Sequence, residues 1–289
     1  MSYKIYTDAT ADCSPEMLEG LPEVAVIPMD ITLGDRPCTY GSGGDITAQA
    51  FYAAQRAGQF AATSQISPDT YFRCFEDALA GGNDILYLCF SSGMSGTFQT
   101  ACLCAAELRA AYPDRRILCV DTLCASVGEG FLVRETARKQ AEGLSLEELA
   151  DWVGARRLQV CHWFTVDTFA HLKHGGRVSG AAAAAGTLLG IKPLLHVSRE
   201  GGLEVAEKPR GGRHAMASQL SRMRKGWTPE AGRLVVVCHG DCPDRAEELA
   251  ARVRAEFPEA EIHTALIGPV IGAHTGPGML ALIFWGTER

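Results

Sequence analysis

Short apolar runs alternate with amphipathic stretches through the first half of the chain. Residues 3–7 read as a strand that ends in a polar run opening at Asp8. Pro15 suits a first helical turn, and residues 16–19 follow it. Residues 24–31 read as a second strand. Pro28 makes part of it an edge or a break, because proline brings no N–H to a ladder. Residues 40–45 form a turn, and 47–57 a helix. Ser67 is placed to cap a helix over 71–80. A buried strand over 84–90 leads through a small polar loop, 91–97, into a helix over 98–111. Residues 117–120 read as a strand, and 130–142 and 145–159 as helices. Strands alternating with helices predict an α/β domain with a parallel sheet.

The pattern changes near residue 158. Strand-like segments at 163–166, 191–198, 203–206, 233–238, 262–267 and 281–285 now outnumber helices, which are expected at 168–173, 180–189, 213–223 and 245–257. Runs of strands with segregated helices predict an α+β unit. The expected division is residues 1–158 and 159–289. The five-alanine run at 181–185 is the one low-complexity stretch, and no internal repeat is found.

The composition allows this arrangement and narrows the function. A chain of 289 residues, 47% hydrophobic and 21% charged, is ordinary for a globular protein and long enough for two domains. A formal charge of −7 argues against a nucleic-acid binder, which needs a basic face. The densest basic stretches, Arg210-Gly-Gly-Arg213-His214 and Arg222-Met-Arg224-Lys225, read as solvated surface. No secretory signal and no integral membrane segment are expected. The longest candidate, 178–197, carries Lys192, Pro193 and His196. Eleven cysteines without CxxC spacing suggest a reducing cytoplasm. Cys102 with Cys104, and Cys238-His239-Gly-Asp-Cys242, read as small buried groups rather than metal ligands, so no metal or cofactor is expected.

Four clusters of small polar residues and glycine remain. They are 62–68 (with Thr63, Ser64 and Ser67), 91–97 (with Ser95, Gly96 and Thr97), 175–179 (with Arg177) and 268–278 (with His274). None matches a P-loop, a dinucleotide fingerprint or a nucleophile elbow. Each also has a plain structural reading: Thr63 and Ser64 suit a helix cap, the glycines of 91–97 a tight turn, and His274 a satisfied core position. Together they supply hydroxyls, an arginine, a histidine and bare backbone. Those are the groups that hold a carboxylate or phosphate in a partly desolvated pocket.

The same clusters carry a resemblance to the DegV family over essentially the whole length. Tyr6-Thr7-Asp8-Ala9-Thr10-Ala11-Asp12 resembles the family's opening block. Thr63-Ser64-Gln65, Ser91-Ser92-Gly93-Met94-Ser95-Gly96-Thr97, Val120-Asp121-Thr122 with Ala125-Ser126, and Val166-Asp167-Thr168 resemble further blocks in the same order. So do Gly175-Gly176-Arg177-Val178-Ser179, Gly190-Ile191-Lys192-Pro193 and Ile267-Gly268-Pro269-Val270-Ile271-Gly272-Ala273-His274-Thr275-Gly276-Pro277-Gly278. The resemblance implies a DegV-like two-domain fold, an N-terminal parallel-sheet α/β domain plus a C-terminal α+β domain, with a lipid between them. It implies a cytoplasmic, bacterial, lipid-binding protein rather than an enzyme. Several family members are the fatty-acid-binding (FakB) subunit of bacterial fatty acid kinase. They present a long-chain fatty acid to a separate ATP-binding kinase subunit, which makes the acyl phosphate. Carried over by motif, Thr63, Ser64, Ser95, Gly96 and Thr97 would bind the carboxylate. Arg177 and His274 would support the head group or the phosphate.

The chain also departs from the family pattern. Ala9 replaces a usual serine, and Gly180 stands where lysine is common. Glu129 occupies a helix start that is usually apolar or neutral. Ala184 and Ala185 replace larger residues and would widen or lengthen a tail tunnel. Two other functions compete: a binder of another amphipathic acid without a kinase partner, and a hydrolase using Ser95 or Thr63 with His274, oriented by Asp121 or Asp167.

Overall fold

The computed structural model describes residues 2–178 and 190–289. Ser179, Gly180 and the helix expected over 180–189, with Ala184 and Ala185, lie outside the described residues. Among the described residues, thirteen strands form three sheets. They are β1 (Tyr3–Asp8), β2 (Val24–Ile27), β3 (Met29–Leu33), β4 (Arg36–Tyr40), β5 (Ala61–Thr63), β6 (Asp84–Cys89), β7 (Ile117–Asp121), β8 (Val160–Thr165), β9 (Leu194–Val197), β10 (Leu203–Glu207), β11 (Leu234–His239), β12 (Glu261–Leu266) and β13 (Leu280–Trp285).

The N-terminal region holds a parallel sheet of order β2-β1-β6-β7. After Asp84 its central strand β6 reads as an unbroken apolar run, because both of its faces are covered. On β6, Ile85, Tyr87 and Cys89 pack on the side of helices Pro68–Ala80 and Thr97–Ala111. Leu86 and Leu88 pack on the opposite side with helix Val127–Ala141. Ser67 caps the first of these helices, its hydroxyl accepting from Thr70 N at 3.2 Å.

The segment expected to be one strand over 24–31 is two strands in different sheets. Pro28 falls between them and removes the donor that a continuous ladder needs. The second, β3, pairs antiparallel with β4 and β5 in a small three-stranded sheet. This sheet was not expected. Its strands are three to five residues long, and Pro37 and the polar run after Thr63 hide their period.

The C-terminal region is built on a six-stranded mixed sheet, β10-β9-β8-β13-β11-β12. Its pairs are antiparallel except β11 with β12. Alternation along β13 sets the layers. Leu280, Leu282 and Phe284 pack beneath helices Gly212–Gly226 and Pro243–Glu256. Ala281, Ile283 and Trp285 face the N-terminal region, where Trp285 meets Phe131 edge-on at 5.1 Å. The largest apolar cluster therefore lies between the two sheets. The glycine-rich segment near the C-terminus is not only a loop: Pro269–Thr275 is a buried helix, with Pro269 in its first turn.

Candidate functional site

In the parallel sheet, β1 and β6 are neighbours whose following segments leave toward opposite sides. Such a switch point opens a crevice beyond the carboxyl ends of the strands. The turn after β1 carries Thr10, and the loop after β6 carries Ser91 to Gly96. The C-terminal sheet closes this crevice into a cavity of about 220 Å³ between the two regions. Most of its wall is apolar. Met29 and Phe90 come from one region, and Phe164, Val197, Met279 and Ile283 from the other.

The loop after β6 is held against the C-terminal region. Ser91 Oγ donates to Gly201 O at 2.8 Å. Gly93 lies so close to Glu200 and Gly201 that an added Cβ would stand 2.6 Å from their backbone atoms. A side chain there would push the regions apart. The loop then delivers Ser95 and Thr97 to the cavity, where their hydroxyls are 2.8 Å apart and Thr97 N donates to Ser95 Oγ at 3.2 Å.

Six of the seven expected residues line the cavity: Thr63, Ser64, Ser95, Thr97, Arg177 and His274. Gly96 does not line it. It is the N-cap of helix Thr97–Ala111 and packs against the Gln65 side chain. Ser67 caps its own helix instead of joining the wall.

His274 comes from helix Pro269–Thr275, and its Nε2 lies 2.9 Å from Thr63 Oγ1. Its buried Nδ1 has no partner among the described residues. Burial lowers its pKa to about 4, with the Arg177 guanidinium and His174 adding to the effect, so the ring is neutral at physiological pH. Gly175 makes room for it, since a Cβ there would overlap the ring at Nδ1. Arg177 is fixed by its own backbone surroundings. Its Nε donates to Met94 O at 3.2 Å, and its Nη1 donates to Gly175 O. No carboxylate pairs with it among the described residues, so its charge is open to an anion.

The cavity therefore has one polar end with a fixed cation, two serine and two threonine hydroxyls and a neutral imidazole. Of the groups that nucleophilic catalysis needs, Thr63 and His274 meet, but among the described residues no carboxylate orients the ring at Nδ1. Asp121 accepts from Ser92 Oγ at 2.6 Å, and Asp167 pairs with Lys192 at 2.7 Å and Arg245 at 3.0 Å. Neither is a hydrogen-bond partner of His274 among the described residues.

Sequence reasoning missed Thr10, Ser126 and His162, which also line the cavity. They follow or sit on three different strands, so no local pattern joins them. The usable signal was the strand ends themselves, because turns after parallel strands face the crevice. Behind this wall lies a row of buried acids. Asp12 accepts from Ser126 Oγ at 2.6 Å and Gly268 N at 2.9 Å. Burial, partly offset by these donors, raises its pKa to about 7. Glu129, wholly buried, contacts Thr7 at 3.1 Å and Thr10 at 2.9 Å. Desolvation first, and then the neighbouring Asp8, push its pKa far above the usual carboxylate range.

The family model described as DegV family matches residues 2–286. A DegV domain-containing protein of Clostridium perfringens is 36% identical over 99% of this chain and 98% of its own. A Streptomyces coelicolor DegV domain-containing protein is 32% identical, covering 96% of both chains. A Thermus thermophilus DegV family protein whose structure concerns fatty acid binding superposes with TM-score 0.86 at 31% identity, over 99% of this chain and 100% of its own. Bacillus subtilis DegV, a fatty acid binding protein, superposes at TM-score 0.83 and 26% identity, over 99% of each chain. The Streptococcus pneumoniae fatty acid kinase B3 protein, solved with linoleic acid, reaches TM-score 0.86 over 99% of each chain. At 23% identity it speaks to the fold alone.

Proposed function

This chain belongs to the DegV family, and from that premise we propose that it carries one long-chain fatty acid in the cavity between its two sheets. The carboxylate is presented to a separate ATP-using kinase subunit for conversion to an acyl phosphate. The observation that carries this reading is the polarity of the cavity: an apolar chamber with hydroxyls, Arg177 and neutral His274 gathered at one place. Each buried methylene contributes about 0.8 kcal/mol, so the tail supplies most of the affinity. The polar end sets orientation and selects a free acid.

In this reading Thr63, Ser64, Ser95 and Thr97 hydrogen-bond the carboxylate. Gly96 acts through its backbone at the helix start, and Arg177 and His274 support the head group or the transferred phosphate. The chain is the carrier and not the catalyst. The two units divide at 158/159, between helix Leu146–Arg156 and β8. No helix among the described residues is long and apolar enough to cross a membrane. A reducing cytoplasm suits the eleven free cysteines.

Native mass spectrometry of the purified protein tests the carrier reading. One fatty acid per chain is expected. A protein that is empty and takes up no added fatty acid would overturn it. Acyl-phosphate formation with a purified fatty acid kinase ATP-binding subunit tests the partner. Ser95→Ala is expected to slow that reaction more than it harms folding, and an unchanged rate would remove Ser95 from the site.

A further inference from the structure

The C-terminal sheet gives the cavity a floor with a defined end. Met279, just before β13, and then Ala281 and Ile283 within it line the cavity, each two residues from the last. They lead away from the polar end. Met279 follows closely on the helix that carries His274, and antiparallel β8 leaves the sheet at the same level toward Leu172 and Arg177. At about 3.4 Å per residue, Ile283 lies about 14 Å from Met279. Ile283 is paired with His162, and Val197 with Leu203, and all four line the cavity. His162 has no polar atom to spare there. Its Nδ1 lies 3.0 Å from Val160 O, and its Nε2 accepts from Ala125 N at 3.4 Å. The next inward-facing pair, about 7 Å further along the strands, is Trp285 with Val160. Neither lines the cavity.

The opposite wall closes in the same order. Ser126 lines the cavity and stands at the start of helix Val127–Ala141. Gly128 then passes His162 so closely that any Cβ would overlap the ring. Phe131 comes next and meets Trp285 edge-on at 5.1 Å. Phe131 is wholly buried, and Trp285 is 3% exposed. The indole also lies against Gly232, where an added Cβ would overlap it. Held against both, the ring has little room to swing aside. Floor and wall therefore converge on Trp285 at the end remote from Arg177 and His274.

We propose that Trp285 sets the longest acyl chain the cavity takes, with the terminal methyl group of the fatty acid lying against the Ile283–His162 pair. The proposal rests on the fatty-acid reading, with the carboxylate at the polar end, and adds the residue that decides chain length. Methylenes that fill the floor down to Ile283 leave water. Those beyond it meet the indole and gain nothing.

The test measures affinity for straight-chain saturated acids of increasing length, by displacement of a fluorescent fatty acid. In the wild type, affinity is expected to rise about fourfold per added methylene up to one length and then to stop rising. Trp285→Leu should move that break to longer acids. Ile283→Phe, one step nearer the polar end, should move it to shorter ones. Acids too short to reach Ile283 should bind both variants as they bind the wild type, whereas a general loosening of the fold would weaken acids of every length alike. The proposal is wrong if the wild type shows no break, or if a folded Trp285→Leu protein keeps the break in place. A second measurement needs no variant. A fatty acid of the break length with a terminal diazirine is photolysed in the wild-type protein, and adducts are expected on Ile283, His162 or Trp285. Adducts confined to other residues would overturn the proposal. Failure to bind acids of any length would remove the carrier reading itself, whereas tight binding with an unmoved break removes only this inference.

Discussion

Thr63 and His274 stand 211 residues apart in the chain and 2.9 Å apart in space. One ends a strand of the small antiparallel sheet, and the other lies in the last turn of a buried helix. Among the described residues Nδ1 has no partner; with the ring proton on Nε2, the imidazole donates to Thr63. The threonine hydroxyl is then free to donate to a ligand carboxylate. Thr63→Val removes that donor while keeping the shape. Affinity for a long-chain fatty acid is expected to fall about tenfold, the range for a hydrogen bond to a charged group. Equal affinity in a displacement assay would show that Thr63 does not touch the head group.

The ionisation of His274 offers a direct reading of occupancy. Its lowered pKa, about 4, reflects desolvation and the nearby Arg177. A bound carboxylate favours the charged ring and raises that pKa. An NMR titration of the His274 ring should move upward on adding fatty acid. The sign for stability also follows. Between pH 6.5 and 4 the unfolded chain takes up a proton on this residue that the folded chain refuses, so His274 lowers stability as the pH falls through that window. His274→Gln should flatten this part of the profile, and an unchanged profile would contradict the assignment.

Glu129 gives the opposite sign. Its folded pKa is raised, so the folded chain keeps a proton that the unfolded chain releases above about 4.5. Its contribution to stability is present below that pH and declines by about 1.4 kcal/mol per pH unit until the folded group itself ionises. Glu129→Gln keeps the hydrogen-bond geometry and removes this slope. Denaturant unfolding from pH 5 to 8 should show the variant losing about one proton's worth less stability than wild type. Parallel curves would mean that Glu129 is ionised in the fold.

Gly175 is constrained by the ring beside it. Gly175→Ala would drive a methyl group into His274 Nδ1. The imidazole must then leave Thr63 or the Gly175 turn must move. Fatty acid affinity should fall by about tenfold, comparable to losing the Thr63 bond. Unfolding free energy should drop by about 1–3 kcal/mol, as overpacking does. A variant with wild-type affinity would show that the histidine position is adjustable.

Much of the molecule was legible in the chain. Ser67, followed by Pro68, marks a helix start wherever it occurs, because the side-chain oxygen satisfies the backbone locally. Pro28 marks a break because it lacks an N–H, and the two strands on either side enter different sheets. Buried strands such as β6 and β13 announce themselves by composition, since both of their faces are covered. The hydroxyls, Arg177 and His274 were also visible as candidates, because glycine beside small polar residues is rare except at caps, turns and sites.

Helix Pro269–Thr275 was not legible, because its glycines and short length weaken any helical period. Nor was the antiparallel sheet of β3, β4 and β5, whose strands are too short to carry one. Nor could the place of Thr10, Ser126 and His162 in the cavity wall be read. The sequence by itself determined the elements, the cap residues, the two-part architecture and the chemical kinds present at the polar end. Only the tertiary structure decided which of those groups face one another, and that Gly96 stands behind the wall. Caps and strand periods are set by neighbours a few bonds away. Partners such as Thr63 with His274, or Ser126 with Asp12, are set by how two separately formed sheets close on each other.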